Sequence, residues 1–158
     1  MTKPISTHTD DVAAIGGEFG VSAATEHYWA GSALVLIDDA EDEAADRLEQ
    51  ALSLYEAGPG PDEQHWFGAR AMTSIDLATV RLRAGALDAA VTAIEPALSL
   101  PSARRINALM ARLQLVRTEL AAPVFRGAAQ ARDLDERIEE FGRDSVTAGL
   151  HALPAGPA

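Results

Sequence analysis

Apolar residues along this chain recur at the three-and-four spacing of amphipathic helices. No stretch of β-branched and aromatic residues alternates with period two for long enough to argue a strand. Punctuation divides the pattern into six predicted helices. Ser22 is placed to cap the first, which runs to about Ile37 with Tyr28, Ala33 and Leu36 among its apolar positions. Carboxylates from Asp38 to Glu43 open a second, because they meet the positive end of a helix dipole; it stops at Gly58-Pro59-Gly60-Pro61. The third starts at Asp62 and ends near Ala84-Gly85, and the fourth covers about Leu87–Ser99. Pro101 suits the first position of a fifth helix over 101–121, Ala122-Pro123 breaks it, and a sixth falls within 128–147. Residues 1–21 read as a flexible N-terminal segment and 148–158 as a disordered tail, which leaves 22–147 as one all-α domain.

Six helices with short connectors form either a bundle or a stack of hairpins, and an internal repeat distinguishes them. Residues Ala44 to Leu54 align with Ala90 to Leu100, identical at 6 of 11 positions, with Leu48 conservatively matched to Ile94. The order Ala-x3-Leu/Ile-x2-Ala-Leu resembles the second helix of a tetratricopeptide repeat, where small residues let paired helices approach and the large one fills the gap. The 46-residue offset exceeds the roughly 34 of a regular repeat, and the Gly/Pro segment with a long third helix absorbs the excess. The expected fold is therefore a tetratricopeptide-like superhelix of about three antiparallel helical hairpins. Pro96 lies inside the fourth helix, where a proline removes a backbone hydrogen bond, so a kink or an early end at Glu95 is expected.

Composition narrows the chemistry. The 158 residues are 47% hydrophobic and about a fifth alanine, which gives one domain with a real core. With no cysteine there are no disulfides, thiolate nucleophiles or cysteine-ligated metals. The longest strictly apolar run, Ala33–Ile37, is far below the ~20 residues that span a bilayer, and the first 11 residues lack the apolar stretch of a signal peptide. A cytoplasmic protein without membrane contact is expected. The net charge of −11 is unevenly placed: residues 1–65 hold 14 acids against Lys3 and Arg47, a net of −12, whereas residues 66–158 are nearly balanced. An acidic half repels phosphate backbones, which argues against nucleic-acid binding by this chain alone. Such polarity fits self-association, a charged partner or a solvated acidic face.

Ordered segments running from about Gly31 to Phe141 resemble the C-terminal tetratricopeptide-like region of actinobacterial XRE-type helix-turn-helix transcriptional regulators. They are Ala51-Leu52-Ser53-Leu54-Tyr55, Asp76 to Ala90, Pro96 to Pro101, Arg112 to Leu120, Phe125-Arg126-Gly127 and Asp133 to Phe141. The resemblance implies a ligand-sensing, peptide-binding or dimerising module. No helix-turn-helix pattern precedes it, so an excised sensor region or a stand-alone protein without the DNA-reading part is expected.

Candidate sites follow from the pairing of helices. In tetratricopeptide folds the first helix of each pair lines the concave surface, so Glu26 and Trp29 are expected to meet Met72, Ile75, Thr79 and Arg83 in a mostly apolar groove. Tyr28, Trp66 and Phe67 read equally as packing anchors. Glu26, His27 and His65 could converge as a general base with an orienting carboxylate, the basis for an alternative: a small stand-alone enzyme reusing the groove in a biosynthetic pathway. The four histidines have no metal-ligand spacing, and Asp38–Glu43 lacks a calcium-loop pattern, so no metal and no cofactor are expected. Arg105, Arg112 and Arg117 read either as a solvated strip or as a surface for an acidic partner. The leading expectation is a non-enzymatic module that takes a peptide or small molecule in its groove and forms a homodimer.

Overall fold

The computed structural model describes residues 22–57 and 63–151, which form helices and turns and contain no strand. The helices are α1 (Ala23–Leu34), α2 (Glu41–Ala57), α3 (Glu63–Arg83), α4 (Leu87–Leu98), α5 (Asn107–Leu120) and α6 (Ala129–His151). The all-α expectation holds, and no helix among the described residues is long and apolar enough to cross a membrane. The N-terminal segment 1–21, the Gly58–Pro61 stop and residues 152–158 lie outside the described residues. The sixth helix runs past the expected end at 147, to His151.

Local chemistry explains most boundaries. Ser22 caps α1 as expected, its hydroxyl accepting from the Thr25 N–H at 3.2 Å. At the end of α3, Gly85 takes φ +76, and Ala86 N–H reaches back to the Arg81 carbonyl at 2.8 Å. That left-handed cap suits glycine and turns the chain directly into α4. The fourth helix passes through Pro96 instead of ending at Glu95: it continues to Leu98, where Ser99 N–H closes on the Glu95 carbonyl at 3.0 Å. Pro96 stands in the last turn, so it leaves only the Thr92 carbonyl unserved, on an exposed residue that water can reach. The fifth helix starts later than expected. Pro101 leads a short 3-10 turn, Ser102–Arg104, and Arg105 is extended before α5 begins at Asn107. Arg105 holds this break: its Nε donates to the Leu100 carbonyl at 2.9 Å, its Nη1 to the Phe141 carbonyl at 3.1 Å, and its guanidinium stacks 4.1 Å from the Phe141 ring.

Side-chain contacts give the direction of each helix. In α1 and α2, Ala24 and Tyr28 lie with Ala51 and Tyr55, Gly31 meets Leu48, and Val35 packs with Ala44 and Ala45, so the pair runs antiparallel. Arg81 and Arg70 of α3 pair with Glu49 and Glu56 of α2, again antiparallel. Between α1 and α3 the contacts are Tyr28–Met72 and Ser32–Asp76, and between α3 and α5 they are Asp76–Arg112 and Arg83–Glu119. Both sets keep a constant sequence separation, 44 in the first and 36 in the second, so α1, α3 and α5 run in the same direction. The two copies of the internal repeat are buried alike: Ala44, Leu48 and Ala51 in α2, and Ala90, Ile94 and Ala97 in α4, are all closed off from solvent. Helix α3 packs against α1, α2, α4 and α5, and every side chain from Thr73 to Val80 is buried.

The tightest helix approach is at Gly31, where an added Cβ would lie 2.7 Å from Leu48 Cγ and 3.2 Å from Arg47 Cβ. Leu48 is fully buried and cannot swing aside. Alanine at a helical glycine ordinarily gains about 1 kcal/mol, but overpacking here costs about 1–3 kcal/mol. Gly31→Ala is therefore expected to lower stability and Gly31→Val to lower it further, measured as the urea midpoint at constant m-value.

Candidate functional site

Helix α3 carries an unusual load of buried polar side chains: Thr73, Ser74, Asp76 and Thr79. Two of them return their hydroxyls to their own helix, Thr73 to the Ala69 carbonyl at 2.8 Å and Thr79 to the Ile75 carbonyl at 3.0 Å. Asp76, only 2% exposed, is served from the helices on either side. Ser32 of α1 donates to Oδ2 at 2.5 Å, and Nη1 of Arg112 in α5 donates to both carboxylate oxygens at 2.6 Å. Arg112 extends the network by donating from Nη2 to the Tyr28 hydroxyl at 2.9 Å, and that hydroxyl donates to Met72 Sδ at 3.6 Å. Four polar side chains thus link α1 and α5 directly across α3. Burial pushes the Asp76 carboxyl above the ordinary carboxylate value, against the Ser32 hydrogen bond and the Arg112 charge, which both favour the ionised form.

This network occupies the place where an open groove was expected, and the expected lining residues separate accordingly. Ile75 and Thr79 are buried in the packed interior and line no opening. Met72 is half-buried beneath Tyr28, and Arg83 is committed to Glu119 at 2.8 Å and to the Val35 carbonyl. Glu26 and Trp29 face outward on α1, with Trp29 58% exposed. The physical reason is packing: α1 and α5 are joined across α3 by the Tyr28–Arg112 bond, and Ile75 and Thr79 are enclosed on the helix between them.

The arginine strip is corrected in the same way. Arg112 answers Asp76, Arg105 binds two backbone carbonyls and the Phe141 ring, and Arg117 bonds Asp135 at 2.6 and 3.1 Å. None of the three stands as an unanswered cation on one shared face. His27 is half-buried, and its Nδ1 is enclosed without a hydrogen-bond partner among the described residues. His65 stands in the first turn of α3, but its side chain lies outside the described residues, as does that of Trp66. No group of acidic and histidine side chains among the described residues could hold a metal ion.

Asp76 was not among the residues the sequence pointed to, although a signal for it exists. It is the lone charge in the stretch Ala71–Val80, and it lies 36 residues before Arg112, the spacing that also separates Arg83 from Glu119. No protein family, curated protein or solved structure matches this chain.

Breaking a fully buried ion pair by removing one partner costs about 3–5 kcal/mol. The Arg112 side chain keeps about a third of its surface in solvent, so Arg112→Ala is expected to cost rather less, about 2–3 kcal/mol at pH 7. The same change raises the Asp76 value further, so its penalty shrinks on acidification, when Asp76 becomes neutral; urea titrations at pH 7 and pH 5 measure this.

The direction of the Asp76 shift also fixes its own pH dependence. Its folded value lies above that of the unfolded chain, so the stability Asp76 gives relative to asparagine is fully present below the ordinary value of about 4 and is lost as pH rises through the folded value. The stability difference between the native protein and Asp76→Asn is accordingly expected to move in favour of the native protein between pH 7 and pH 5.

Proposed function

We propose that the chain is a tetratricopeptide-like module that works by association: it binds other molecules on its surface and pairs with a second copy of itself. The observation that carries this reading is the shared direction of α1, α3 and α5 at constant register, with α2 and α4 burying the same Ala-x3-large-x2-Ala triplet behind them. That is how stacked helical hairpins pack, and stacks of this kind generally act as binding scaffolds. The resemblance to the sensor regions of transcriptional regulators points the same way, and a cytoplasmic setting goes with it.

Self-association draws on the outer side of α1. Trp29 and Ala33 lie one turn apart on the exposed edge of α1, and Leu36 and Ile37 follow in the turn just past its end. Trp29, Leu36 and Ile37 are 58%, 81% and 54% exposed. Among the described residues this side of α1 offers large apolar side chains of the kind that mark an interaction surface. A second copy apposing its own α1 covers these side chains by two-fold symmetry.

Sedimentation velocity over a concentration series tests this. The native protein is expected to sediment as a dimer and the Trp29→Ser/Leu36→Ser variant as a monomer with unchanged helicity, because both residues are exposed and neither supports the core. A native protein that stays monomeric at the highest attainable concentration would remove the dimer from this reading.

A further inference from the structure

The described chain has an open cleft away from the concave face, between the end of α5, the 3-10 turn Pro123–Phe125 and the start of α6. Its volume is about 570 Å³, within the range of small-molecule sites. The floor is apolar: Leu120, Phe125 and Ala131 line it and are buried in the core behind. The walls carry five charged groups, Arg117, Arg126, Arg132, Asp135 and Glu136. Arg117 and Asp135 cancel one another through two hydrogen bonds, at 2.6 and 3.1 Å. Arg126 and Arg132 are exposed, and among the described residues neither guanidinium has an ion-pair or hydrogen-bond partner. Two unanswered guanidinium groups therefore stand over an apolar floor, opposed by Glu136 alone.

We propose that this cleft binds a small amphiphilic anion, its carboxylate or phosphate held by Arg126 and Arg132 and its apolar body seated on Leu120, Phe125 and Ala131. A guanidinium fork matches both kinds of oxyanion, and its hydrogen bonds are strongest where part of the site is already dehydrated. The apolar floor supplies what a bare inorganic ion cannot use, so the ligand is an organic acid or a phosphate monoester and not free phosphate. The site involves no residue of α1 and is independent of the dimer, so each reading can fail alone.

Isothermal titration calorimetry of the full chain with phenyl phosphate, benzoate and inorganic phosphate, at matched ionic strength, tests the proposal. Phenyl phosphate or benzoate is expected to bind saturably and more tightly than inorganic phosphate, and whichever is tighter names the oxyanion. Arg126→Gln and Arg132→Gln are each expected to weaken binding about tenfold, the loss of one hydrogen bond to a charged group. Both residues are exposed, so these variants fold. Glu136→Gln removes the opposing charge and is expected to tighten binding, whereas Glu140→Gln, exposed on α6 but outside the cleft, leaves it unchanged. Absence of saturable binding, equal affinity for inorganic phosphate, or an Arg126→Gln/Arg132→Gln variant that binds like the native protein overturns the proposal.

Discussion

A carboxylate withdrawn from water has to be answered by its neighbours, and in this molecule Asp76 sets the positions of three helices through that requirement. Its partners do not come from its own helix. Ser32 arrives from α1 and Arg112 from α5, so the carboxylate is satisfied only when both helices lie beside α3 at one register. Apolar packing alone is non-directional and would tolerate sliding by a turn. A hydrogen-bonded ion pair does not, because displacement leaves a buried charge unmet. The apolar core supplies the bulk of the driving force, and the Asp76 network selects one arrangement of it.

That selection also decides which side chains face solvent. Tyr28 of α1 and Arg112 of α5 meet over Asp76. The open cleft lies between the end of α5, the Phe125 turn and the start of α6, and Trp29 on α1 and Leu36 just past its end are exposed. Interior polarity and surface availability are thus two sides of one arrangement.

Much of the scaffold was legible in the chain. Helix identity, the Ser22 cap, the Gly85 turn and the matched triplets Ala44/Leu48/Ala51 and Ala90/Ile94/Ala97 are local features, and local propensity and periodicity encode them directly. The start of α5 was not, because Pro101 looks like a good first residue while the break at Arg105 depends on Phe141, which is distant in sequence. The groove failed for a related reason. Periodicity places Ile75 and Thr79 on a helix, but the middle of α3 from Thr73 to Val80 is buried on every side and has no outward face. Arginines were the least readable of all: a count of cations treats Arg83, Arg105, Arg112 and Arg117 as free, whereas each has an acceptor that only the tertiary fold reveals. Arg126, in the turn before α6, and Arg132, in the first turn of that helix, are exposed and line the cleft.

The bond between Tyr28 and Arg112 has a consequence for how the molecule comes apart. In a simple stack each hairpin touches only the next, so the ends can fray one unit at a time and the free energy is a sum over neighbours. Here α1 is tied to α5 over the top of α3, 84 residues apart in the chain. Detaching the first hairpin therefore exposes not only its own interface but the charged centre of the second and the anchor of the third. Opening of α1 and α2 thus also breaks contacts at α3 and α5, so it is coupled to opening at the middle of the molecule.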